Sequence, residues 1–223
     1  MSLDNQRGFT LAELMVATLI TTMVLTGAVM MTSQVQQSFR KQIEDAAGEQ
    51  EGRYALEWVS RLIRAAGNNP YALPQPAPAP QTSDCPAAGT PYAWLIIDPD
   101  ADGENSDLRL QTDSNPPDGA LGGPAGNCNQ ANEDVTISFD PLTNSITFLD
   151  NNLGGGTSTR TDAVIENLRF VFKNINHVPT NNAANVVYVE TQVTVRTRTI
   201  NSATGLPETR LLTQEVRVRG RNY

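Results

Sequence analysis

Asp98, Asp100 and Asp102 alternate in the stretch DPDADGENSD, with Gly103 directly after them and Asp107 closing the run. An EF-hand-like loop gathers oxygens around calcium in this way, with carboxylates at alternate positions and a glycine where the chain must turn sharply. The bidentate glutamate that should stand at loop position twelve is missing, because Arg109 occupies that place. The stretch is therefore no standard EF-hand, and Asp107 is left to complete the ligand set. Two readings stay open: a structural calcium held by Asp98, Asp100, Asp102 and Asp107, or a solvated acidic turn. No other cofactor is required.

Catalytic chemistry has less to rest on. The lone histidine, His177, lies in the Asn-rich stretch NINHVPTNN, where a solvated turn residue is the expected role. No nucleophile motif accompanies it. The three glycines at 154–156 lack the strand, lysine and hydroxyl context of a phosphate loop. The chain is not expected to be an enzyme.

The elements that must position these residues fall into two kinds. From Phe9 to Met31 runs an apolar segment that spans roughly 34 Å as a helix at about 1.5 Å per residue, enough to cross a bilayer core of about 30 Å. Arg7 precedes it and no comparable basic cluster follows Met31, which favours an inside N-terminus and an outside C-terminus. The helix is predicted to continue through an amphipathic half. Val35, Phe39 and Ile43 keep spacings of four, and Ala55, Val59, Leu62 and Ala66 form a second apolar stripe. Arg53, Glu57 and Arg61 can pair along its other face, and Gly67 and Pro70 end it. PQPAPAP, residues 74–80, reads as a stiff extended connector. Beyond it YAWLII, DLRLQT, DVTISF, SITFL, LRFVFK, VVYVETQVTVRTRT and LLTQEVRVRG have strand composition, with DPLTN joining two of them as a hairpin.

One charge stands inside the apolar run. Glu13 lies five residues after Gly8 in RGFTLAELMVATLI, and a carboxylate in the hydrocarbon costs on the order of 2.5–3.5 kcal/mol even on permissive scales. Either it snorkels to the interface near the positive end of the helix dipole, or it has a charged partner. This stretch resembles the class III signal of type IV prepilins and pseudopilins: a short leader ending in glycine, then phenylalanine, then a glutamate fifth in the mature chain. The resemblance implies that prepilin peptidase cuts between Gly8 and Phe9 and methylates the new amino group of Phe9, and that Glu13 serves assembly by meeting the terminal ammonium of a neighbouring subunit. It implies an α+β pilin fold, a long N-terminal helix packed on an antiparallel β-sheet head. The expected organisation is a leader over 1–8, a transmembrane and filament-core helix over 9–31, an amphipathic helix over 32–67 and a β-rich periplasmic head over 68–223. The family often carries a proline about two-thirds along the apolar helix; Met30 occupies that place here.

RLIRAAGNNP, AVIENLRFVF and the closing strand pair are similar to the larger minor pilins of the PilW type and to pseudopilin J of type II secretion. The partners this implies are prepilin peptidase, other major and minor pilins, the assembly platform, and the bacterial inner membrane before the subunit enters a pilus or pseudopilus. With the head on the outer side, Cys85 and Cys128 are expected to form a disulfide rather than remain free thiols, and without more ligands they make a poor zinc site. The net charge of −8 argues against a general nucleic-acid binder. The local exception is Arg196, Arg198, Arg217, Arg219 and Arg221, whose alternation predicts one face of an antiparallel pair. That face is read as solvated strand, subunit contact or DNA contact.

Overall fold

The computed structural model describes residues 10–68, 94–114, 117, 129–153, 156–200 and 203–218, the side chain of Arg198 excepted. The leader, Gly8, Phe9, the connector at 74–80, Cys85, Cys128, Arg219 and Arg221 lie outside the described residues. The chain divides into two compact units, Met1–Glu44 and Asp45–Tyr223.

A single helix, α1 (Leu11–Ala65), carries residues of both units. In the first unit every residue from Leu11 to Glu44 is exposed, including the large apolar side chains from Leu11 to Met31. In the second unit the helix becomes one-sided. Ala55, Leu56, Val59, Ile63 and Ala66 are buried, and Leu62 is half-buried against the same core, as the spacing predicts. The outer face carries Glu49–Arg53 and Glu57–Arg61 pairs at four-residue spacing, with the acid nearer the N-terminus. Arg53 thus takes Glu49 rather than Glu57, the orientation that suits the helix dipole. The helix stops where Gly67 adopts φ 75°, and the Gly67 N–H donates to the Gln111 carbonyl at 2.9 Å.

The strands form two antiparallel sheets. The first has the order β1 (Leu95–Ile97), β2 (Asp107–Gln111), β3 (Asp134–Asp140), β4 (Ser145–Asp150), β5 (Ser158–Thr159). The second has the order β6 (Ile165–Lys173), β7 (Tyr188–Ile200), β8 (Pro207–Arg217). All seven strand-like stretches become strands; β5 and a short 3-10 turn, Ala183–Asn185, are additions. Leu108, Leu110, Ile137, Ile146 and Phe148 of the first sheet share one core with Phe170, Phe172, Val189 and Val193 of the second and with the helix stripe. Trp58 meets the Phe148 ring edge-on, with centroids 5.7 Å apart. Each such large side chain contributes about 1.5–3 kcal/mol on burial.

Helix and second sheet approach closely at two glycines. A Cβ at Gly48 would stand 3.4 Å from the Arg196 carbonyl oxygen. At Gly52 it would stand 2.6 Å from Val195 Cγ1 and 2.7 Å from Leu212 Cδ1. Asp45 and Glu49 reach across the same contact, accepting from the Thr199 hydroxyl at 2.8 Å and from Arg210 at 2.7 Å. Gly52→Ala therefore overpacks this seam at about 1–3 kcal/mol, against a helix-propensity gain of about 1 kcal/mol. Gly27→Ala meets nothing within 4 Å and gains without the clash. A thermal melt of the detergent-solubilised chain is expected to fall for Gly52→Ala alone; an unchanged melting temperature would mean that Val195 and Leu212 repack freely.

Candidate assembly site and acidic loop

The start of α1 is a capping box, two residues reciprocally satisfying the free amides of a helix N-terminus. The Thr10 backbone N–H and hydroxyl both donate to Glu13 Oε2 at 2.9 Å, and the Glu13 N–H donates to the Thr10 hydroxyl at 3.3 Å. Glu13 Oε1 takes no hydrogen bond from a described residue. The carboxylate is thus anchored by one oxygen and available through the other. Further along, the hydroxyls turn inward onto their own backbone. Thr18, Thr21, Thr22, Thr26, Thr32 and Ser33 donate to carbonyls three or four residues back at 2.6–2.9 Å. Each polar group is satisfied within the helix, which is what a segment facing hydrocarbon requires. Ala17, Thr18, Thr21 and Thr22 line a shallow groove beside Glu13. Small residues of this kind let helix backbones approach closely in an apolar phase.

The acidic stretch is the turn of the β1–β2 hairpin, whose register runs from Leu95↔Leu110 to Ile97↔Leu108. Its path is tight: Asp98, Ala101 and Gly103 have φ of 50°, 61° and 85°. Asp98 braces it by accepting from the N–H groups of Asp102 and Gly103, each at 3.0 Å. Asp100 accepts from Asp102 at 3.3 Å, and Asp102 from Glu104 at 2.7 Å. Asp98, Asp100, Asp102 and Asp107 each offer a carboxylate oxygen, all within 4.8 Å of one another. Asp107, the first residue of β2, is only 4 % exposed, and its Oδ1 has no hydrogen-bond partner. Burial, reinforced by the charges of Asp100, Asp98 and Asp102, pushes its carboxyl up to about 6.

Arg109, the nearest basic residue in sequence, does not neutralise this cluster. It forms a two-point contact with buried Asp134, Nε to Oδ1 at 2.7 Å and Nη2 to Oδ2 at 2.6 Å. Gln111 and Asn151 complete that carboxylate's shell at 2.8 and 2.9 Å. The reason is register: Asp134 lies opposite Gln111 on β3, one diagonal step from Arg109, and a planar guanidinium matches a buried carboxylate in two parallel bonds.

Residues 3–29 match the family model described as the prokaryotic N-terminal methylation motif. The chain carries the N-terminus of a type IV prepilin or pseudopilin. No curated protein and no solved structure is significantly similar to it. For a prepilin-type chain the motif implies processing by prepilin peptidase and assembly with other pilins. The long apolar helix with antiparallel sheets behind it is the α+β pilin arrangement.

Among the described residues the predicted basic face of this prepilin-type chain is interrupted. Arg196 pairs with Thr209 and Arg217 with Tyr188, at opposite ends of the β7–β8 ladder, roughly 26 Å apart at about 3.3 Å per residue. Glu190 and Glu215 lie between them in register, both bound to Lys173. Arg196 is itself paired with Glu166 at 3.3 Å. Alternation places the arginines on one side of β7 and β8, but Glu190 and Glu215 of the same two strands share that side, and β6 adds Glu166. His177 is, as expected, an exposed turn residue, its N–H donating to the Asn174 carbonyl at 3.0 Å; it also stacks on Tyr188 with centroids 4.2 Å apart, and its Nδ1 lies 3.0 Å from Glu215. Thr10 was missed in the sequence, although a threonine three residues before a glutamate and an apolar run is a readable capping signal.

Proposed function

We propose that this chain is a minor pilin, a subunit that starts or joins a type IV pilus used for adhesion, motility or DNA uptake. The observation that carries the reading is the conjunction of the methylation motif at 3–29 with a helix whose residues from Leu11 to Glu44 are all exposed. An apolar helical surface of that length needs lipid or neighbouring helices to cover it, and a prepilin meets the two in turn. Before assembly the inner membrane covers it, with the head outside the cytoplasm. After Phe9 is freed and methylated, neighbouring subunits replace the lipid, and Glu13 meets a terminal ammonium. Cys85 and Cys128 join as a disulfide in the oxidising compartment. The role is structural rather than catalytic.

The J-type pseudopilin of type II secretion is the second reading, because the same N-terminus serves both machines. Deleting the gene in its host and quantifying the subunit in sheared filaments tests both. The minor-pilin reading expects the chain in the sheared fraction at low stoichiometry, and reduced piliation with normal secretion in the deletion strain. Lost secretion with normal piliation would transfer the chain to the pseudopilus. Normal piliation and normal secretion would overturn the filament role altogether.

A further inference from the structure

We propose that the β1–β2 turn is a calcium site formed by Asp98, Asp100, Asp102 and Asp107. An acidic cluster on a surface turn would carry no such weight alone, since water solvates exposed carboxylates well. The deciding group is Asp107, which is buried, and whose Oδ1 has no hydrogen-bond partner while the carboxylate sits within reach of the other three. The carboxylate accepts one backbone hydrogen bond, from Asp100, which leaves Oδ1 without a donor; a buried carboxylate so thinly compensated is costly, and folds keep one where something positive meets it. Among the described residues no basic side chain pairs with any of the four, because Arg109 is committed to Asp134. A cation from solution supplies the positive partner that these residues lack.

The chemistry of the donor set selects the ion. All potential ligands are carboxylate oxygens, with neither imidazole nor thiolate, so a hard cation is required. Calcium binds oxygens at about 2.4 Å, so ligands on opposite sides of it stand about 4.8 Å apart, a separation that the oxygen spacing admits. Magnesium needs a tighter octahedron at about 2.1 Å and gives up its water reluctantly. Asp100 Oδ2, Asp102 Oδ2 and Asp107 Oδ1 take no hydrogen bond from a described residue, while the bonds from the Asp102, Gly103 and Glu104 amides already hold the ligands in place. The ordering cost of binding is correspondingly small. The site also joins the two sheets, since the Phe170 N–H on β6 donates to the Asn105 carbonyl at 2.8 Å. Calcium here clamps the hairpin of the first sheet beside the second.

The test uses the full chain in detergent, stripped with EDTA and titrated with calcium chloride by calorimetry, with thermal unfolding followed through Trp58 and Trp94. One calcium per chain is expected, with a melting rise of about 3–6 °C at tenfold excess over Kd. Magnesium at the same concentration gives a much smaller rise. Asp100→Asn with Asp102→Asn keeps oxygens to accept the turn amides but removes two charges, so the variant folds and the rise disappears. Asp107→Asn loses the rise while melting no lower than the wild type without calcium, the mark of a ligand rather than a structural group. Glu57→Gln, a carboxylate removed from the helix surface, leaves the rise intact. No heat and no melting shift in the wild type, or a shift that survives Asp100→Asn with Asp102→Asn, would overturn the site.

Discussion

Gly8→Val is expected to leave the chain at precursor mass, held in the membrane and absent from filaments. The peptidase must seat the residue before the scissile bond against its own backbone, where glycine alone adds no side chain. Forcing a branched side chain into a closely fitted site costs about 1–3 kcal/mol, which slows cleavage about ten- to a hundredfold. Intact-mass analysis of membrane fractions checks this directly, since cleavage and methylation as proposed would remove the leader mass and add one methyl. Normal maturation of Gly8→Val would place the cleavage elsewhere than between Gly8 and Phe9.

Glu13 is expected to separate insertion from assembly, and its geometry makes two substitutions more informative than one. Glu13→Val removes the charge and the cap together. It relieves about 2.5–3.5 kcal/mol of insertion cost and loses a cap contribution of about 0.5–2 kcal/mol. Glu13→Gln keeps an acceptor for the Thr10 amide and hydroxyl, as glutamine serves at this place in a capping box, but it cannot neutralise an ammonium. If Glu13 pairs with a neighbour's terminus, both variants are processed and inserted, and both enter filaments poorly. Breaking a buried ion pair costs about 3–5 kcal/mol, so incorporation falls about a hundredfold or more. Immunoblots of sheared filament and membrane fractions measure the ratio. Normal incorporation of Glu13→Gln with failure of Glu13→Val would reduce Glu13 to a helix cap. Normal incorporation of both would leave it a snorkelling residue.

The two carboxylate systems differ in how far they could be read without coordinates. Gly8, Phe9 and Glu13 fall within a few residues of one another in the sequence, and Glu13 lies in the first turn of α1, where a side chain's neighbours are its own sequence neighbours. Asp98, Asp100 and Asp102 are legible for the same reason, since a tight turn folds adjacent residues together. That Asp107 is buried, without a hydrogen bond on Oδ1, depends on what covers the face of β2 opposite Leu108 and Leu110, and alternation in DLRLQ carries no sign of it. The diversion of Arg109 to Asp134 is equally remote, a contact between residues 25 apart in sequence.

By itself the amino-acid sequence determined the prepilin-type N-terminus, the long helix with its apolar front and one-sided rear, the seven principal strands and the acidic turn. All of these follow from short-range periodicity, propensity and turn chemistry, which act over a few residues. Tertiary structure decided the division of the strands into two sheets, the seam of Gly48 against the Arg196 carbonyl and of Gly52 against Val195 and Leu212, and the pairing of Glu190 with Glu215 across β7 and β8, where Lys173 of β6 meets both. Among the described residues it also left Asp107 without a counter-charge. These depend on which strand lies beside which and in what register. A one-residue slip would turn every side chain to the other face, so such contacts are properties of the packed chain and of no segment within it.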